Sequence, residues 1–369
     1  MENRGWKRYA EIRVIRSMII LLLILAVCTL AGVKGNRFHD DYCGREQSAA
    51  IKGILAVIIL FSHMRGYLTL TSAVDVAFDR VLAMIGQLMV TMFFFYSGFG
   101  IAEAWRGKPN YSKGFFKKRI LRILIHFNLA VLLFAVLNLV LGISYTAKEY
   151  LLCWTGWTSI GNSNWYVFDT LAMYLIALVA MRLCEKAKLG VVTLSVITSI
   201  LCVALWWVLY RVRGAEQSWW YDTILCFPAG LCYAAVKQYV DPLARKPILW
   251  WLGLIGLGAV FAFLYTRNML AAYSVCTAVF CVLVVWITMK VKVCNRLLAW
   301  LGANAFAIYI LQRIPMILLA YFGLNQNPYL FAALTMAAIF PMSAGFTKLL
   351  SKVDDGIFMK RQTFPGKVK

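Results

Sequence analysis

The segment RGKPNYSKGFFKKRILRILIHFNLAVLLFAVLNLVLG, residues 106–142, determines the fold class. Its first part, residues 106–126, holds seven basic side chains and no acid. The run from 120 to 142 is mostly apolar and reaches the ~20 residues that a helix needs to cross a bilayer. A helix is favoured there because it satisfies every backbone hydrogen bond within one segment. The pattern therefore predicts a membrane-spanning α-helix that follows a basic loop.

The same pattern recurs along the chain of 369 residues, which is 62% hydrophobic and only 15% charged. Charged residues cluster between the apolar runs, and no linker or internal repeat divides them. We predict an all-α polytopic membrane protein, with about ten transmembrane helices in one bundle and an additional N-terminal hydrophobic helix. The apolar runs lie near 17–33, 52–72, 81–105, 120–142, 165–183, 190–210, 219–236, 247–266, 271–289, 297–320 and 329–350.

Three regions are expected. Residues 1–44 form a basic tail and the N-terminal hydrophobic helix, 45–352 form the ten-helix membrane domain, and 353–369 form a second basic tail. Of the 38 Lys and Arg residues, 26 lie in alternate loops that include 106–119 and the C-terminal tail, which predicts that these loops are cytoplasmic. The basic residues before Ser17 conflict with that orientation. The first hydrophobic helix therefore has three interpretations: a span with its basic end outside, an interfacial helix, or a processed signal segment.

The net charge of +22 has the same explanation, namely the enrichment of Lys and Arg in cytoplasmic loops. The basic residues border spans and form no stripe with interleaved aromatics. We therefore expect the lipid bilayer of the cytoplasmic membrane as partner, and no nucleic acid. The ten cysteines fall mostly inside apolar runs and lack metal-ligand spacing, so no metal site is predicted.

Polar groups at membrane depth are costly and mark candidate functional residues. Lys52 and His63 are eleven residues apart, which places them on one face of a helix, roughly 16 Å apart along its axis. Lys52 is also typical of a cation that extends to the interface, and His63 of an interhelical hydrogen bond. Asp169 lies at a comparable depth, and His63 is its best candidate partner.

Arg119 and Arg122 share a helix face where the basic loop meets a span. They are expected to anchor the helix at lipid headgroups or to hold a phosphate-rich ligand.

Five patches then resemble the membrane-bound acyltransferase 3 family. Lys52-Gly53 followed by His63 resembles its "LRG…H" pattern, FFFYSGFG at 93–100 its "FFxxSGF", and KKRILRI at 117–123 its "RRxxRl". SNWYVF at 163–168 is similar to "HLWFL", and the segment 300–315 to "lGkiSYsiYLlH". The patches occur in the family's order. This chain departs from the pattern at four positions and lacks the proline of "RRxxRlxP"; the substituted residues are Lys52, Asn164, Ala305 and Gln312.

The resemblance implies transfer of an acyl group, usually acetyl, from cytoplasmic acyl-CoA to a hydroxyl of an extracytoplasmic glycan or lipid-linked acceptor. His63 would act as general base or accept the acyl group itself, with Asp169 as its partner. Lys52, Arg119 and Arg122 would hold the donor's phosphates. The matched positions expected to contact substrate are Ser97, Asn164, Trp165, Tyr166 and Gln312. The alternative function is a transporter or flippase without acyl-transfer chemistry, since buried ionisable residues also line substrate and proton paths.

Overall fold

The computed structural model describes residues 17–358, with the exception of residues 36, 268, 270 and 294. Within this part of the chain, regular structure is helical apart from one antiparallel pair of short strands, Val33–Lys34 (β1) and Lys292–Val293 (β2). The predicted all-α polytopic fold is confirmed. The α-helices are α1 Ile19–Leu30, α2 Arg45–Met64, α3 Ala73–Ile85, α4 Leu88–Gly107, α5 Arg122–Leu141, α6 Ala147–Cys153, α7 Trp165–Ala187, α8 Val191–Arg213, α9 Cys226–Arg245, α10 Pro247–Tyr265, α11 Ala272–Thr288, α12 Arg296–Ala303, α13 Ala305–Leu311, α14 Arg313–Tyr321 and α15 Pro328–Phe358.

Seven helical segments of the described chain are long and apolar enough to cross a membrane, and α12–α14 would make an eighth although it bends by 57°. The count of ten spans stays a prediction. The outward faces of the bundle are apolar: α10 buries only Trp250 and exposes Ile248, Leu252 and Ile255 to the surroundings. An exposed apolar surface of this extent is what lipid contact requires. The protein is therefore an integral, multi-pass membrane protein.

Two helix boundaries differ from the sequence prediction. The run predicted at 52–72 is a helix from Arg45 to Met64, so it begins earlier and ends earlier. Its polar start is stabilised by Gln47, whose side chain donates to the Val291 carbonyl and accepts from the Val293 amide. Hydropathy cannot detect such a tertiary contact. The C-terminal tail predicted from 353 is helical in its described part, because α15 continues to Phe358.

The bundle has two ends that matter for function. We call the end with the 108–118 loop the basic end, and the opposite end, reached by the last turn of α2, the histidine end. Helix α1 runs between them: Asp75 accepts from the Met18 amide near Tyr329, while Asn295 donates to the Cys28 carbonyl close to β2. With 12 residues, α1 is shorter than the ~20 that a helix needs to cross a bilayer, and its three interpretations stay predictions. The preceding basic tail, 1–16, lies outside the described residues.

Reciprocal glycine contacts hold α2 against α12. A Cβ atom at Gly53 would overlap the carbonyl oxygen of Leu298, and one at Gly302 would overlap the carbonyl oxygen of Ala49. Both helices therefore approach at backbone distance, as small residues permit in membranes. The contact sets the position of α2 relative to the α12–α14 segment.

A second glycine pair joins α4 to α9 in the same way. A Cβ at Gly98 would overlap the Phe227 carbonyl, and one at Gly230 would overlap the Phe95 carbonyl. Gly100, two residues along α4, has no atom within 4 Å of such a Cβ. The small residues of FFFYSGFG thus have a packing role, as the sequence indicated.

The two glycines of α4 provide a matched test of this packing. Gly98→Ala should destabilise the protein by about 1–3 kcal/mol, because the added methyl has no space between the backbones. Gly100→Ala should be neutral or slightly stabilising, since alanine is the better helix former. Thermal unfolding of the detergent-purified variants measures both. Equal melting temperatures would show that α4 and α9 do not pack at this distance.

Candidate functional site

Three cavities follow one another from the basic end to the histidine end. Helix α2 orders them, because Lys52, Ala56, Ile59 and His63 lie on one face at spacings of four, three and four residues. Lys52 interacts electrostatically with Arg119 at the first cavity, Ala56 and Ile59 line the second, and His63 lines the third. The predicted alignment of Lys52 with His63 is therefore present in a single continuous helix.

The basic-end cavity has a volume of about 440 Å³. It forms where the 108–115 loop meets a π-helical turn, Phe116–Leu121, that leads into α5. Arg119 and Arg122 both line it, as their spacing predicted. The remaining lining residues are Lys108, Pro109, Asn110, Tyr111, Gly114, Phe115 and Lys118.

Lys52 and Arg119 interact with each other as like charges. No carboxylate in the described part of the chain forms an ion pair with either side chain. The Lys52 ammonium lies 5.4 Å from the centroid of the Tyr96 ring, which attracts a cation but does not neutralise it. Two neighbouring cations without a counter-charge favour the binding of an anion.

Arg122 differs from Arg119 in this respect. Its Nε lies 3.3 Å from Asp354 Oδ1, and the same oxygen is 2.9 Å from His126 Nε2. The Phe358 ring packs over the guanidinium with its centroid 5.1 Å away. The last helix thus supplies Arg122 with a carboxylate. Sequence analysis missed this contact because Asp354 lies at the far end of the chain and no local pattern connects the two residues.

The middle cavity is narrow, about 50 Å³, and apolar. Tyr166 lines it, with its ring 4.8 Å from Phe94 and 5.2 Å from Tyr309 between centroids. The cavity connects residues from α2, α4, α7 and α13. Its other lining residues are Ala56, Ile59, Val90, Phe93, Ala305 and Phe306.

The histidine-end cavity has a volume of about 150 Å³. His63 and Trp165 line it as expected, and Trp219, which the sequence did not indicate, lines it too. The other lining residues are Ile59, Ser62, Gly86, Gln87, Val90 and Tyr309. The Nδ1 atom of His63 lies 2.6 Å from Nε2 of the fully buried Gln312.

Several buried polar atoms in this region have no hydrogen-bond partner among the described residues. They are the Tyr309 hydroxyl, Gln312 Oε1 and both carboxylate oxygens of Asp169. Buried polar groups are nearly always paired, so these atoms are candidates for contact with a bound molecule.

The expected pairing of His63 with Asp169 is not found. Asp169 is fully buried, and the charge that acts on it is the Arg213 guanidinium. Arg213 packs against the rings of Trp157 and Trp220, at 3.7 and 3.6 Å from their centroids, and donates to the Trp157 carbonyl. The partner of His63 is instead a residue 249 positions away, on a helix brought close by the glycine contact.

Two other residues that were predicted to contact substrate, Asn164 and Ser97, do not line the three cavities. The Asn164 side chain donates to the Gly156 carbonyl at 2.8 Å and so fixes the loop before α7. Ser97 does not line any of the three cavities. Of the predicted substrate residues, Trp165, Tyr166 and Gln312 are those that reach the cavities or His63.

A buried carboxyl lies in the loop between α8 and α9. Asp222 is only 6% exposed, and burial raises its pKa to about 6, opposed in part by Ser218, Gln87 and Ser274. Thr277 donates to the Asp222 carbonyl at 2.9 Å, which fixes the loop to α11. Gln87 therefore connects this acid with the histidine-end cavity that it lines.

The fold and the cavities define an integral membrane protein, a helical bundle with a polar cavity beside His63. The sequence matches the acyltransferase 3 family, described as an acyltransferase domain, over residues 48–347. The chain therefore belongs to this family, and the protein is a membrane acyltransferase. Neither a curated protein nor a solved structure matches the chain. Family membership confirms the resemblance and favours an enzyme over a transporter.

The buried Asp222 should make stability depend on pH. Its folded pKa lies above the usual carboxyl value, so folding favours the protonated form, and stability is lost as pH rises from about 4 to about 6. Asp222→Asn should remove this loss and raise the melting temperature more at pH 7 than at pH 4.5. Glu216→Gln, an exposed acid in the preceding turn, is the control. An equal shift at both pH values would contradict the assignment.

Proposed function

We propose that the protein transfers an acyl group, acetyl in view of the family, from acyl-CoA bound at the basic end to a hydroxyl of a glycan or lipid-linked acceptor at the histidine end. One observation carries the proposal. A single face of α2 leads from the unpaired cations at Lys52 and Arg119, along an apolar cavity, to His63.

The donor end is supported by charge. CoA carries three phosphates, and Arg119 and Lys52 have no carboxylate partner in the described chain that a phosphate would need to displace. Lys108 and Lys118 add further cations around the basic-end cavity. An arginine holds phosphate oxygens bidentately, whereas Lys52 acts as a point charge. Arg122 would contribute once Asp354 releases it.

The apolar middle cavity suits the long, thin arm that carries the thioester. It runs beside Ala56 and Ile59, which are one and two turns past Lys52 on α2. A donor whose phosphates stay at the basic end would then present its thioester near His63. This arrangement would let a cytoplasmic donor serve an acceptor on the other side of the membrane.

The reaction at His63 is an attack by the acceptor oxygen on the thioester carbonyl. An oxygen–carbon bond forms, the carbon–sulfur bond breaks, and the hydroxyl proton ends on the CoA sulfur. His63 would take that proton and pass it on as a general base, or would carry the acyl group between donor and acceptor. The acceptor would enter past Trp165 and Trp219, whose rings line the cavity.

Removal of the imidazole should abolish transfer. His63→Ala should lower the rate by about 100- to 10,000-fold, the range that a general base contributes, while binding of CoA stays intact. The assay follows labelled acetyl-CoA with a panel of glycan acceptors, and calorimetry measures CoA binding. His39→Gln, a histidine in a loop near β2, is the matched control and should behave as wild type. Transfer at the wild-type rate by a folded His63→Ala protein would refute this mechanism.

The two arginines should differ in donor binding. Arg119→Ala should raise the apparent donor KM by about 10- to 100-fold, since a hydrogen bond to a charged group contributes roughly 1.5–3 kcal/mol. Arg122→Ala should have a smaller effect because its charge is already opposed by Asp354. Lys113→Ala, in the same loop but outside the cavity lining, is the control. Steady-state kinetics with varied donor tests the order, and equal KM values for Arg119→Ala and wild type would refute it.

A further inference from the structure

The amide of Gln312 faces two acceptors. Its Nε2 lies 2.6 Å from His63 Nδ1 and donates to the Tyr309 carbonyl at 3.1 Å. An amide nitrogen has two hydrogens and no lone pair that accepts a hydrogen bond. One hydrogen points to the Tyr309 carbonyl and the other to His63, so His63 Nδ1 is the acceptor.

This contact determines the protonation form of the imidazole. A neutral ring that accepts at Nδ1 carries its single hydrogen on Nε2. The doubly protonated ring would place an N–H against the amide N–H and is incompatible with this arrangement. The adjacent Arg313 acts on His63 as a like charge and opposes the imidazolium further.

The alternative orientation of the amide is opposed by the backbone. If the amide turned by 180°, Oε1 would face the Tyr309 carbonyl oxygen, and the bond to that carbonyl would be lost. Oε1 has no hydrogen-bond partner in the described structure that would hold it where it is. The Tyr309 carbonyl therefore selects the orientation in which nitrogen faces His63.

We propose that Gln312 is a positioning residue that sets the tautomer of His63. In the resting protein His63 is neutral, with hydrogen on Nε2, and cannot take a proton there. A half-turn of the Gln312 amide would present Oε1 to Nδ1 and favour the other tautomer. In that change Nε2 gives a proton to a water molecule and Nδ1 takes one from water, so Nε2 is left with the lone pair of a base and the ring stays neutral. The catalytic consequence rests on the proposed role of His63, whereas the tautomer itself does not.

Nitrogen-15 NMR of histidine-labelled protein reads the tautomer directly, and the chain has only three histidines. The signals of His63 are identified by their loss in His63→Ala. In the wild type at neutral pH, we expect Nε2 protonated and Nδ1 unprotonated. In Gln312→Glu, whose carboxylate only accepts, hydrogen should appear on Nδ1. An imidazolium or an Nδ1–H tautomer in the wild type, or the same tautomer in both proteins, would overturn the proposal.

The pH dependence of transfer supplies the second measurement. The carboxylate of Gln312→Glu favours the charged imidazole, so the acid limb of the rate profile should move to higher pH by about one unit or more. Gln312→Met, of similar size but without hydrogen bonds, should lower the rate without this displacement. An unmoved acid limb in Gln312→Glu contradicts the positioning role. If the NMR result holds while His63→Ala stays active, the tautomer assignment survives and the proposed catalytic function fails.

Discussion

The backbone contact between α2 and α12 is the constraint on which the site depends. Gly53 and Gly302 each lie against a carbonyl oxygen of the other helix, so a side chain at either position would overlap that oxygen. The contact lies one residue past Lys52 and ten residues before Gln312. The contact places α2 beside the bent α12–α14 segment, from which Gln312 reaches His63. A packing contact thereby brings the two residues of a hydrogen bond together.

The distribution of countercharges distinguishes the cations of the basic end. Most lysines and arginines beside a span in this protein are explained by their effect on the orientation of the helix in the membrane. Lys52 and Arg119 differ because they interact with each other, and Arg122 differs because an acid from the last helix reaches it. Charge alone therefore does not distinguish these cations, whereas the arrangement of their partners separates Lys52 and Arg119 from Arg122.

The features of the fold that could be predicted from the sequence are those that depend on neighbouring residues in the chain. Apolar runs gave the spans, and the helical period placed Lys52 and His63 on one face. The start of α2 at Arg45 was missed because Gln47 is stabilised by a strand more than 240 residues away. Asp169 was assigned to His63 by depth alone, yet depth does not specify direction around a helix, and its electrostatic partner is Arg213. Gln312, predicted as a substrate contact and noted as a departure from the family, is the hydrogen-bond partner of His63.

The packing of Arg213 between two tryptophans stabilises one wall of the histidine-end cavity. Trp157 belongs to the loop before α7 and Trp220 to the turn after α8, so one guanidinium joins two separate connections. Trp219, which lines the cavity, is the immediate neighbour of Trp220 and inherits its fixed position. One guanidinium therefore holds both connections and, through Trp220, the wall that Trp219 forms.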